Sequence, residues 1–233
     1  MGDTVDDQDI AVVAIDGPGG SGKGTIAQQL AAYLGWHLLD SGALYRLVAV
    51  AAQVSAVDLD DEAGLGRLAA GLEVRFVSKA DGTEQIFLGQ TDVARAVRTE
   101  ETGKIASKIA AMPQVRAALM ELQKRFRKPP GLVADGRDMG SVVFQDAQVK
   151  IFLTANPEER ARRRHKQLKD KGIDVSLPAV SADIAERDRR DTERAVAPLR
   201  PAPDAEILDT TGLSINEVVE QVKEIVAKTL ADR

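Results

Sequence analysis

The stretch Asp16-Gly-Pro-Gly-Gly-Ser-Gly-Lys23-Gly24-Thr25 sets small residues around one lysine. Between a strand and a helix, such a loop can wrap its backbone N–H groups round phosphate oxygens while the lysine reaches the terminal phosphates. Gly17, Pro18, Gly19, Gly20, Ser21, Gly22, Lys23, Gly24 and Thr25 are therefore candidate phosphate-binding residues. The general pattern puts Ser or Thr directly after the lysine to reach magnesium, and Gly24 takes that place here. Either the loop is a structural turn, or the hydroxyl has moved to Thr25 because the metal is held differently.

Three more groups of residues could do chemistry. On a helix predicted after Ser181, Arg187, Asp191 and Arg194 fall at i, i+4 and i+7, which puts two guanidiniums round one carboxylate on one face. Asp135-Gly-Arg137-Asp138 follows a short apolar run, at the strand end where open α/β sheets place ligands. A solvated ion-pair helix and an Arg–Asp pair closing a turn are the plainer readings of these two. The run Glu159-Arg160-Ala-Arg162-Arg163-Arg164-His165-Lys166 is the densest basic segment. It lacks the interleaved aromatics of a nucleic-acid patch and reads first as a solvated helix face. His37 and His165 lie far from any partner motif and receive no role.

The elements around these residues alternate. Residues 10–15 form a short continuous apolar run, as a strand buried on both faces would, and Ile26, Leu30, Ala31 and Leu34 recur at helical spacing before Gly35. Trp36–Asp40 reads as a second buried strand and Leu44–Val54 as a helix. Between Glu73 and Leu88 two short runs joined through Lys79-Ala-Asp81-Gly82-Thr83 signal a hairpin, an antiparallel insertion in a parallel pattern. Thr99 can cap a helix that stops or kinks near Pro113, and a further helix runs on to about Arg127. Leu132–Asp135 and Val149–Leu153 read as parallel strands, and Ile207 and Leu208 mark a fifth. Asn156-Pro157-Glu158-Glu159 opens a helix with cap, proline and acids in order. Ser214-Ile-Asn-Glu217 is a capping box for a terminal helix with Val218, Val222, Ile225 and Val226 on its apolar face. The pattern predicts a doubly wound α/β fold in a single domain.

Composition narrows the function classes. The 233 residues carry 31 Lys and Arg against 36 Asp and Glu, a net charge of -5, which argues against general affinity for nucleic acid or anionic membrane. There is no cysteine, hence no disulfide and no thiolate chemistry. The acidic start MGDTVDDQDI has no apolar segment of a secretory signal, and Asp6 spoils the acylation pattern that Gly2 begins. No apolar run approaches the ~18 to 20 residues of a membrane span. A soluble cytoplasmic protein is the expectation.

The form GKGT, rather than GK followed by Ser or Thr, resembles the nucleoside monophosphate kinases. Leu39-Asp40-Ser41-Gly42-Ala43-Leu44-Tyr45-Arg46, the segment 134–144 (ADGRDMGSVVF) and the segment 186–199 (ERDRRDTERAVAPL) are similar, in order, to motifs of the bacterial cytidylate kinases. The resemblance spans about residues 10–230 and implies a P-loop NTPase core, a five-stranded parallel sheet flanked by helices. It also implies a small antiparallel monophosphate-binding insert at 60–97 and a helical lid at 158–174. The implied reaction transfers the γ-phosphoryl group of ATP to CMP or dCMP, in a monomer, with Mg2+ arriving on ATP and held largely through water. The implied acceptor-binding residues are Asp40, Ser41, Arg46, Ser107, Arg116, Arg137, Asp138, Arg187, Asp191 and Arg194. Among them Asp138 and Arg116 would address the cytosine, Arg137 and Arg194 phosphate, and Arg187 and Asp191 the ribose. Lys23, Arg137, Arg187 and Arg194 would carry catalysis, and some of Arg160, Arg163 and Arg164 would close over phosphates. A kinase for another monophosphate, a P-loop hydrolase and a nucleotide-sensing module are the rivals. No [NT]KxD motif supports a GTPase.

Overall fold

The computed structural model describes residues 10–78 and 84–231. The chain falls into two compact units, Met1–Asp40 with Lys124–Arg233, and Ser41–Gln123. The first unit opens with β1 (Val12–Asp16), buried at every position, and α1 (Lys23–Leu34), whose end is closed by Gly35 at φ 66°. β2 (His37–Asp40) follows. The expectation of a buried strand there is corrected, because β2 pairs only with one neighbour at the sheet edge and leaves His37 and Asp40 exposed.

The second unit contains α2 (Ser41–Val54), which begins three residues before the expected Leu44, and α3 (Glu62–Ala70). The latter is a helix that the weak formers Gly64 and Gly66 hide from sequence patterning. β3 (Val74–Ser78) and β4 (Glu84–Leu88) pair antiparallel as the hairpin pattern predicts, with Val74 opposite Leu88. The predicted turn at 79–83 lies outside the described residues. A short third strand, β5 (Thr91–Asp92), and α4 (Ala94–Val97) were not anticipated by the pattern. Thr99 caps α5 (Glu100–Ile109) by accepting from the Thr102 N–H, and α6 (Pro113–Lys124) starts on its proline and stops short of Arg127.

The chain then returns to the first unit with β6 (Leu132–Gly136), a π-helical turn at Met139–Val143, β7 (Val149–Thr154), α7 (Pro157–Asp170), α8 (Leu177–Glu193), β8 (Glu206–Asp209) and α9 (Ile215–Ala231). The sheet order is β2-β6-β1-β7-β8, all parallel. Val13, Ile15, Val133, Ile151 and Leu153 from the central strands form one core with Ile26 and Leu30 of α1 and Val218, Val222 and Val226 of α9. The predicted capping box is present in both directions: the Ser214 N–H donates to Glu217 at 2.8 Å and the Glu217 N–H to Ser214 Oγ at 3.3 Å. A smaller core of Ala161, Leu168, Val180 and Ile184 packs α7 on α8.

Register decides where the charged residues arrive. Asp40 pairs with Asp135 and Asp16 with Gly136, so three carboxylates arrive together at or one residue before the carboxyl ends of their strands. The glycine loop leaves β1 from that same end, one residue later.

Candidate active site

The loop between β1 and α1 has Gly20 at φ 80° and Gly22 at φ 93°, left-handed conformations that a side chain would strain. Gly22 caps α1 without any side-chain bond, and no acid stands in the first turn, so the helix N-terminus keeps its donors for an incoming anion. Lys23 is buried and folds back, its Nζ donating to the Pro18 carbonyl at 3.0 Å. Ser21 Oγ donates to the same oxygen at 3.0 Å. At Gly24, a Cβ would lie 3.2 Å from Asp135 Oδ2, so a serine in that place would crowd a buried carboxylate. The missing side chain makes room for an acid.

Burial dominates the electrostatics of this end of the sheet. It pushes the Lys23 ammonium well below the usual lysine range, helped by nearby Arg137 and opposed by Asp135. It pushes Asp135 up, against the pull of Lys23 and with a further push from Asp40. Burial also raises Asp16 to about 6, although backbone N–H groups of Gly140 and Met139 hold it down. Asp135 Oδ1 is fully buried and has no hydrogen-bond partner. A carboxylate oxygen in that condition is costly unless a ligand completes it.

Beside the loop, Arg137 donates from Nε to Asp191 Oδ2 at 2.9 Å and from Nη1 to the Gly136 carbonyl at 3.1 Å. Arg194 Nη2 lies 3.4 Å from Asp138 Oδ1, and both side chains are buried. Burial would raise Asp191, but Arg137, Arg187 and Arg194 outweigh it and hold the carboxyl below its ordinary range. Two details of the sequence reading are corrected. α8 starts at Leu177 behind the cap Ser176, and Ser181 lies inside it with its hydroxyl donating to the Leu177 carbonyl. Arg194 is not on the helical face, because it is the C-terminal cap with φ −59° and ψ 139°, and its Nε turns to the Ala197 carbonyl. Arg187 stands 4.0 Å from Asp191, so Arg137, the residue after β6, not the helix neighbour, is the closer partner.

The basic run lies on α7. Arg160 is buried and donates to the carbonyls of Ala155 and Gly19 at 3.0 Å each and to Asp188 at 2.6 Å. Arg163 reaches the Ser21 carbonyl at 3.4 Å, both oxygens of Thr210, and Glu159. Arg164 instead donates to Gln167 at 3.2 Å. His165 meets the Val175 carbonyl and His37 that of Pro129, which leaves both outside the cluster.

The second unit holds four candidates of its own. Ser41 is the first residue of α2 and is buried. Arg46 Nη1 donates to the carbonyls of Val97 and Thr99 at 3.0 Å, lying where any side chain at Gly103 would collide with it. Ser107 is buried on α5. Arg116 is buried, with Nη1 3.2 Å from Tyr45 Oη and its guanidinium carbon 5.9 Å from the Tyr45 ring centroid. Sequence reasoning quoted Asp16, Asp135 and Tyr45 within motifs but gave them no role of their own. Acids at consecutive strand ends were the available signal for the first two, and Tyr45 carried none beyond its place in a motif.

A family model described as cytidylate kinase matches residues 13–228. The cytidylate kinase of Azotobacter vinelandii is 56% identical over 222 residues, covering 94% of this chain and 97% of its own. That of Aeromonas hydrophila is 56% identical over 221 residues, with 95% and 96% covered. That of Nitrosococcus oceani is 56% identical over 216 residues, with 92% and 95% covered.

Proposed function

The chain belongs to the cytidylate kinase family and transfers the γ-phosphoryl group of ATP to CMP or dCMP, and on that premise we propose how its residues divide the work. The observation that carries the assignment is the gathering of Lys23, Asp135, Arg137, Arg187 and Asp191 at the strand ends beside the glycine loop. The loop residues Gly17–Thr25 cradle the ATP phosphates through backbone N–H groups, and Lys23 meets the β- and γ-phosphates. In water-poor surroundings its ammonium is unusually responsive to an anion, because burial has already removed its hydration.

The acceptor is a phosphate oxygen that is already ionised, so the reaction needs no dedicated base. A loose transition state asks for alignment and for charge neutralisation on the moving group. Holding two nucleotides in line supplies about 7 to 11 kcal/mol of the barrier. Arg137, Arg187 and Arg194 offset charge on the acceptor and transferred phosphates. Asp191, kept ionised by its arginines, accepts from ribose hydroxyls with Arg187 beside it. Asp138 accepts from the cytosine N4 amino group, where uracil would present an oxygen and leave two acceptors facing each other. That mismatch costs about 1 to 3 kcal/mol, a discrimination of tens-fold. Asp40, Ser41, Arg46, Ser107 and Arg116 complete acceptor binding by the family pattern, and Arg160, Arg163 and Arg164 serve the lid.

Magnesium fits these residues. Asp135 offers a buried, unpartnered carboxylate oxygen close behind the loop, the hard donor that the ion and its water shell prefer. Thr25 is half-buried at the start of α1 and stands near the phosphates without being assigned as a direct ligand. Bound with ATP, the ion would supply positive charge to the terminal phosphates. A cytoplasmic monomer belongs to the same reading by the family resemblance. No helix among the described residues is long and apolar enough to cross a membrane.

The test is ADP release from Mg·ATP with CMP, dCMP, UMP, AMP and GMP in turn. CMP and dCMP should stimulate strongly and UMP weakly. Turnover without acceptor would favour a hydrolase, and no stimulation by CMP would defeat the assignment.

A further inference from the structure

The π-helical turn Met139–Val143 is capped from another strand. Asp138 occupies the cap position at φ −152° and ψ 26°, yet its side chain makes no capping bond. An aspartate there ordinarily turns its carboxylate onto the first free N–H groups of its own helix. Here those donors are taken by Asp16 at the end of β1: the Met139 N–H donates to Oδ1 and the Gly140 N–H to Oδ2, each at 2.8 Å. The turn lies close on the sheet, for a Cβ at Gly140 would come within 3.4 Å of Ala14 Cβ and 3.1 Å of Lys150 Cγ. Asp138 is then turned toward Arg194 Nη2, 3.4 Å away.

We infer that Asp16 is a positioning residue for acceptor specificity: it caps the turn in place of Asp138 and so leaves the Asp138 carboxylate aimed at the base. This rests on the reading that Asp138 addresses the cytosine. Two parallel N–H groups on one side chain call for two acceptor oxygens, which a carboxylate has and an amide or hydroxyl lacks. Burial makes that carboxylate expensive, raising it to about 6, so a neutral cap would be the cheaper solution if shape alone mattered. Asp16 also directly precedes Gly17, so one residue ties the start of the phosphate loop to the turn that carries Asp138.

Asp16→Asn keeps the volume but turns an amide donor toward one of the two N–H groups. The KM for CMP should rise about five- to tenfold, and the CMP to UMP ratio of kcat/KM should narrow by a similar factor, as the loss of one buried hydrogen bond implies. The KM for ATP should stay within about twofold. An unaltered ratio, or KM values for CMP and ATP rising together, would overturn the inference and leave Asp16 a residue of general structure. Asp138→Ala separates the two claims. If it narrows the ratio while Asp16→Asn does not, only the positioning role falls; if it leaves the ratio intact, the base reading falls and takes the positioning role with it. Should Asp16→Asn not accumulate as folded protein by circular dichroism, Asp16→Ser is measured in the same way with the same criteria.

Discussion

The arginines of α7 and those gathered just after β6 and at the end of α8 each meet a carboxylate, but they differ in the carbonyls they reach. Arg160 and Arg163 aim most of their N–H groups at main-chain carbonyls, including those of Gly19 and Ser21 in the phosphate loop. Arg137 and Arg194 each give one N–H to a carboxylate, of Asp191 and Asp138, and another to a carbonyl close by in sequence, of Gly136 and Ala197. The carbonyls of Gly19 and Ser21 belong to the phosphate loop, so the first set fixes the shape of that loop, while Asp188 and Glu159 supply the arginines' countercharge. A carboxylate supplies a countercharge that an incoming phosphate can replace, so the second set is ready to exchange partners. Shape and exchange are thus assigned to different arginines.

The largest test removes the lysine of the loop that the first set shapes. Lys23→Ala should lower kcat about 10³-fold with the fold retained by circular dichroism. Unchanged turnover would take the loop out of the mechanism and leave the α7 arginines nothing to shape.

The next effect concerns a carboxylate held by N–H groups alone. The folded pKa of Asp16 is raised from 3.8 to about 6, so its contribution to stability is fully present below pH 3.8 and is lost as pH rises through about 6. Urea unfolding of the wild type and Asp16→Asn should therefore show the wild type losing about 3 kcal/mol relative to the variant between about pH 3.5 and 7, at roughly 1.4 kcal/mol per pH unit. A relative gain with rising pH would contradict the burial argument.

Arg137→Ala should then cut kcat/KM for CMP about 10²-fold, leaving the KM for ATP within about twofold. Arg160→Ala should do the reverse, raising the KM for ATP and lowering the melting temperature. If both variants moved the same parameters, the division between shape and exchange would collapse. The smallest effect is expected for Arg163→Lys, which keeps the charge but loses the fork that spans Ser21 and Thr210. Steady-state kinetics should show about a threefold rise in the KM for ATP, and a loss as large as that of Arg160→Ala would mean that the fork, not the charge, matters there.

Much of this was legible in the chain. The five parallel strands, the caps at Thr99, Asn156 and Ser214, and the family itself follow from short-range signals, because apolar runs, capping residues and spaced motifs act over a few residues. α3 was hidden by its glycines and β5 by its two-residue length, since neither leaves a periodic trace. Arg187, Asp191 and Arg194 were readable as a group, but Arg194 leaves the helix and Arg137 takes the nearer place beside Asp191. Local spacing cannot register a partner that arrives from another strand.

The sequence by itself determined which residues carry charge and where strands and helices alternate, because these depend on composition and near neighbours. Only the tertiary structure decided that Gly24 makes room for Asp135, that Asp16 caps a turn more than a hundred residues away, and that Asp40 and Asp135 share a register. Those choices depend on parallel strands ending together at one end of a sheet, which places the Asp16 and Asp135 carboxylates and the Lys23 ammonium in a common dry volume where burial shifts their protonation.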